Sequence, residues 1–179
     1  MKHNEGFLRG QRHFLRGEYG RSILGFGLAL ESGMDPAKVH LPLGLAYLKN
    51  SNFAEAITEF SLALEDDPTN DNVLFLRGMA RCNRGEMAGA VDDFTTALHF
   101  NPRRAMALVG RSLAYRSLHR DEAAKLDMQA ALDIGGVEVE LFIREYCLAP
   151  PLQSLAMALF DVHKLPWGHE RGGGSALTH

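Results

Sequence analysis

The sequence predicts an all-α protein built as a line of stacked helical hairpins, and three observations carry that reading. Small and apolar residues recur at the three- and four-residue spacings of amphipathic helices. The pattern repeats at a fixed interval along the chain, so that Ala56, Phe60, Ala63 and Pro68 correspond to Ala90, Phe94, Ala97 and Pro102. The stripe Ala56, Phe60 and Ala63 also keeps one helical face small, a face that only another helix at very short range could cover.

The first unit, 4–36, contains "FLRGQRHFLRGEYGRSILGFGLALESGMDP", where Gly10, Ser22, Phe26 and Ala29 mark two helices joined by a short turn, with two extra residues ahead of Pro36. The second, 37–70, holds the fullest copy, "LPLGLAYLKNSNFAEAITEFSLALEDDP". The third, 71–104, places Gly78 on Gly44 and "GEMAGAVDDFTTALHFNP" on "SNFAEAITEFSLALEDDP". The fourth, 105–136, keeps Ser112, Tyr115, Ala124, Met128 and Ala131 in register and ends on Gly136 where the others close with proline. The small positions are Gly10, Ser22, Ala29; Gly44, Ala56, Ala63; Gly78, Ala90, Ala97; and Ser112, Ala124, Ala131. None carries a bulky side chain, so helix backbones can approach closely, and each hairpin leaves an apolar face for the next to bury.

Beyond the repeats, 137–165 is expected to form C-terminal capping helices. "VEVELFIREYCLA" puts Leu141, Phe142 and Glu145 at helical spacing, Pro150 and Pro151 redirect the chain, and "LQSLAMALFDVH" resumes as an amphipathic helix through Leu152, Leu155, Ala156, Leu159 and Phe160. Packing against the last repeat is the expected use of this helix; docking in its own groove or in that of a neighbour is the alternative. The composition of 166–179 suits a flexible tail.

Composition limits the partners. With 179 residues, 46% of them hydrophobic, the chain can bury a sizeable core, and its 19 basic against 22 acidic residues create no field that would recruit nucleic acid or an anionic membrane. No apolar run approaches the ~20 residues needed to span a bilayer, and "MKHNEGFLRGQRHF" lacks a signal-peptide core. Cys82 and Cys147 read as buried thiols in a reducing compartment, so a cytoplasmic location is expected.

Chemistry finds little footing. The eight histidines are scattered, without HExxH or a Cys-x-x-Cys pair, so no metal is expected. Gly25-Phe26-Gly27 lacks the third glycine of a dinucleotide loop, "RGGGS" precedes no helix, Ser112 and Ser154 lack a base and a carboxylate, and Asp92-Asp93 reads as a solvated helical edge. No cofactor and no catalysis are expected. The arginines of the first and third units, Arg9 and Arg77 among them, are expected to pair with Glu18, Asp71, Glu86 or the turn Asp66-Asp67, or else to form a ridge across adjacent units.

On Leu43, Gly44, Tyr47, Ala56, Phe60, Ala63 and Pro68, the chain resembles the tetratricopeptide repeat family. The likeness spans all four units. It departs from the family pattern where the first-helix tryptophan becomes Gly6, His40, Leu74 and Leu108, and where the leucine three residues later becomes Arg9, Arg77 and Arg111. The resemblance implies a right-handed α-solenoid of about four helix-turn-helix hairpins plus C-terminal capping helices, with the first helices lining a concave groove. Carried over residue by residue, that groove is formed by Phe7, Gln11, Leu41, Leu45, Phe75, Met79, Met106, Val109, Leu113 and Arg116.

Phe7, Gln11, Pro42, Met106 and Gly110 stand where one branch of the family places its carboxylate clamp, which argues against that mode. The expected function is a non-catalytic protein-protein interaction scaffold that binds a peptide or helix of another protein in a partly apolar groove. Two alternatives stay open: a chaperone that holds apolar segments of a secreted or assembly-prone partner, and a scaffold that self-assembles into homo-oligomers through its C-terminal helix.

Overall fold

The computed structural model describes residues 3–134 and 139–160. Four hairpins follow one another: α1 (His3–Leu15) with α2 (Tyr19–Glu31), α3 (Pro36–Lys49) with α4 (Phe53–Asp66), α5 (Asp71–Arg84) with α6 (Met87–Phe100), and α7 (Ala105–Ser117) with α8 (Asp121–Ile134). Two more helices, α9 (Val139–Tyr146) and α10 (Pro150–Phe160), complete the described chain. Pro36 and Pro150 occupy first helical positions, where a missing N–H costs nothing. The tail expected at 166–179 lies outside the described residues.

The sequence period reappears in the backbone. Within each hairpin the turn passes through positive φ at the equivalent repeat position, Gly17 (74°), Ser51 (63°), Gly85 (89°) and His119 (57°). The amides of Glu18, Asn52, Glu86 and Arg120 donate to the carbonyls of His13, Tyr47, Arg81 and Tyr115, closing the four turns in the same way. Glycine is favoured at such a position because it has no Cβ to clash, so Ser51 and His119 hold the geometry against some strain.

Close packing explains the small-residue register. A Cβ on Gly10, Gly44 or Gly78 would lie 2.6–2.7 Å from the ring of Phe26, Phe60 or Phe94 in the second helix of the same hairpin. These three rings are fully buried. Where serine takes a small position, its hydroxyl satisfies the facing helix: Ser22 Oγ donates to Gly10 O at 2.9 Å and Ser112 Oγ to Ala124 O at 2.8 Å.

The arginines that replace the family's leucine tie units together. Arg77 makes a bidentate contact with Asp93 of its own hairpin and donates to Ser61 of the preceding one at 3.1 Å. Arg111 repeats the arrangement in the next unit, with Asp127 and Thr95. Asp93 also receives Arg81 at 2.8 Å and is only 2% exposed, which corrects its reading as part of a solvated edge; Asp92 is exposed. Burial works to raise the Asp93 pKa while the guanidiniums of Arg77 and Arg81 oppose it. Arg104 with Asp71, Arg84 with Glu86 and Arg21 with Glu18 pair as expected. Asp67 instead accepts from Thr69 and Asn70 within its own turn. In the first unit Gly25 stands where Asp93 and Asp127 stand later, and Arg9 is exposed.

Curvature follows from which helices meet. First helices of successive units touch one another, α1 with α3, α3 with α5 and α5 with α7, whereas among the described residues no two second helices approach to a similar extent. The first helices therefore lie on the inner side of the α-solenoid. The C-terminal segment does not stop at the last hairpin: α10 packs on α7 and α9, and the segment reaches back as far as Lys49.

Candidate functional site

The inner face is made by one position from each turn of α1, α3, α5 and α7. At its N-terminal end Phe7 is half-buried against Phe26, with ring centroids 5.4 Å apart, while Gln11 is exposed and Leu41 and Leu45 are half-buried. Leu15 projects from the last turn of α1 and is 85% exposed. The groove is open here.

Toward the C-terminal end the face is covered. Phe75, Met79, Val109 and Leu113 are buried, which revises the expectation of an open apolar stripe along all four units. They share one core cluster with Phe142, Cys147, Leu152 and Ala156 of the C-terminal segment. Met106 is half-buried at the margin, and Arg116 is exposed and bound to Asp121 at 2.7 Å.

Polar side chains on the inner face grip this segment. Lys49 Nζ donates to Glu145 Oε2 at 2.6 Å and to the Glu145 carbonyl at 2.7 Å. Asn83, one repeat further on, donates to the Tyr146 carbonyl at 2.6 Å and accepts the amides of Leu148 and Ala149 at 2.6 and 2.8 Å. The Tyr146 ring meets Phe75 edge-on, with centroids 5.1 Å apart, and Arg104 lies 4.8 Å from the Phe75 ring. A buried amide or carbonyl without a partner costs roughly 1–3 kcal/mol, so one asparagine serving three main-chain groups decides whether the irregular stretch after α9 can be buried at all.

Lys49 and Asn83 escape a reading based on the apolar stripe because each sits one residue beyond it, next to Leu48 and Cys82. Their separation by one full repeat was the available signal. Both thiols lie within this contact: burial, then the neighbouring Cys147, raises the Cys82 pKa, and burial pushes Cys147 up to about 12. Both are free cysteines.

The ion pair predicts a pH dependence. The hydrogen bond to Lys49, followed by its charge, lowers the Glu145 pKa against a smaller effect of burial. A carboxylate whose folded pKa is depressed contributes above its unfolded value and loses that contribution as pH falls through the folded one. Exchange protection of the Leu148 and Ala149 amides should therefore hold down to about pH 5 and decline below about pH 4. In Lys49→Met this acid step should shrink, because only Arg144 would remain to lower the Glu145 pKa.

Among the described residues no three His, Cys, Asp or Glu side chains gather to hold a metal ion, and no helix is long and apolar enough to cross a membrane.

No family model matches the chain, and no curated protein matches it. Solved structures do. MamA (MSR-1) superposes with a TM-score of 0.67 at 24% identity, covering 72% of this chain and 74% of that one. MamA (AMB-1) gives 0.67 at 25%, covering 73% and 76%. YrrB, described as a TPR protein with an unusual peptide-binding site, gives 0.68 at 22%, covering 78% and 71%. With one period shared by sequence, turns and side-chain ladders, this likeness makes the fold of the chain that of a tetratricopeptide repeat solenoid.

Proposed function

We propose that the protein is a non-catalytic interaction module that receives a peptide or helix of another protein on its inner face, through Phe7, Gln11, Leu41 and Leu45 at the open end and Phe75, Met79, Met106, Val109, Leu113 and Arg116 beyond. One observation carries this reading: the face already seats a stretch of polypeptide, held by side-chain bonds to its main chain. A surface that satisfies the backbone groups of a visiting chain and offers apolar pockets to its side chains has what peptide recognition needs. The description of YrrB as having a peptide-binding site agrees with it.

The open end supplies the test. Leu15→Glu with Leu45→Ser alters exposed and half-buried positions only, so the variant should keep its helical circular dichroism and melt within a few degrees of wild type. Affinity capture from the native cell should recover a partner with wild type that the variant loses. Identical captures by two folded proteins would refute the groove as the working surface.

A further inference from the structure

We infer that residues 145–152, "EYCLAPPL", are a resident ligand of this groove, and that the external ligand is a peptide in which an acidic residue and then an aromatic one end a helical turn and a short non-helical stretch follows, which displaces them. The inference rests on the groove reading above and adds the chemistry of what binds there. Each contact reads a definable feature. Lys49 takes a carboxylate, Glu145 in the resident case, and its ammonium also lies 5.7 Å from the Tyr146 ring. Phe75 takes an aromatic edge. Asn83 reads main chain alone, accepting two consecutive amides and donating to a carbonyl, so it places no demand on the residues that follow the aromatic.

The segment's structure depends on the groove, while the hairpins do not depend on the segment. α9 has eight residues, well below the ~12–15 at which isolated helices become even marginal in water. Residues 147–149 are non-helical, and the amides of Leu148 and Ala149 are given to Asn83 rather than to a helical ladder. Each hairpin, by contrast, is closed by its own ring-on-glycine or serine contact and joined to its neighbours. A unit with few contacts of its own, seated on a self-supporting array, is the kind of element that opens locally without global unfolding.

The test uses the full chain and a labelled synthetic peptide spanning residues 141–154 with serine at position 147. Glu145→Lys with Tyr146→Ser should unseat the resident segment, so the peptide should bind this opened chain at least tenfold more tightly than wild type. Adding Asn83→Leu to the opened chain should abolish that binding, and adding Lys49→Met should remove the preference for glutamate over glutamine at position 145 of the peptide. Wild type gives an independent readout. Excess unlabelled peptide should speed alkylation of Cys147, which leaves with the segment, while Cys82 stays covered.

If the opened chain keeps its helicity but binds no peptide, or if saturating peptide leaves Cys147 of wild type unreactive, the inference falls. It falls equally if wild type runs at twice its mass and excess peptide converts it to a monomer, because the segment would then serve a second copy. None of these results touches capture through Leu15 and Leu45, so the groove reading is judged separately.

Discussion

Phe94→Ala should lower stability by about 3–5 kcal/mol, the range for deleting a fully buried aromatic ring. Phe94 has no exposed surface, and its ring serves two interfaces. On one side a Cβ at Gly78 would lie 2.6 Å from it, and on the other a Cβ at Gly110 of the next unit would lie 2.7 Å from it. Loss of the ring thus removes contact within the third hairpin and also between the third and fourth. In a linear array, stability is approximately a sum of unit and nearest-neighbour terms, so weakening both at one place should uncouple the fourth unit. Urea unfolding followed by circular dichroism should show a lower midpoint and a broadened transition. Phe100→Ala on the same helix is the control, since Phe100 is exposed and its loss should cost less than about 0.5 kcal/mol.

Asp93→Ala should cost a similar amount, about 3–5 kcal/mol, for an electrostatic reason. Arg77 and Arg81 both direct guanidinium nitrogens at this carboxylate and are themselves mostly buried, so its removal strands two cations. Asp127→Ala, which strands Arg111 alone, should be milder. The sharper outcome is compensation: Asp93→Leu combined with Arg77→Met and Arg81→Met should recover most of the loss, because well-packed apolar residues often replace a buried ion cluster without penalty. The same unfolding measurement decides it. If the triple variant were as unstable as Asp93→Ala, packing rather than stranded charge would explain the single substitution.

Much of the array can be read from the chain alone, because the constraint is local and recurs. Gly44 and Gly78 must be small because Phe60 and Phe94 sit on them, and a rule imposed once in every unit leaves a visible period. Asp93 was harder. Its neighbour Asp92 has the same chemistry, and only the register, sixteen residues after an arginine as Asp127 is after Arg111, marks it as buried. The C-terminal segment has no repeat to betray its place. Its path is set by Lys49 and Asn83, which lie 96 and 63 residues away from the groups they bind, and a helix pattern carries no information about partners at that range. The burial of Met79 and Leu113 was illegible for the same reason: the stripe shows that a face is apolar, not what lies on it.

Belonging to the same chain as the groove gives the seated segment a quantitative role. A segment joined covalently to its site meets it at an effective concentration on the order of millimolar. A free peptide that would bind the bare site with a Kd of about 10 μM then shows an apparent value weakened about 100-fold, and peptides that merely copy residues 145–152 are shut out at ordinary cellular concentrations. To enter, a visitor must bring contacts that the tethered copy does not make. Those remain available beside Gln11 and Leu15, at the end of the groove beyond Lys49. The tether thus works as a threshold that rejects short look-alikes and admits a longer chain able to hold both halves of the groove at once.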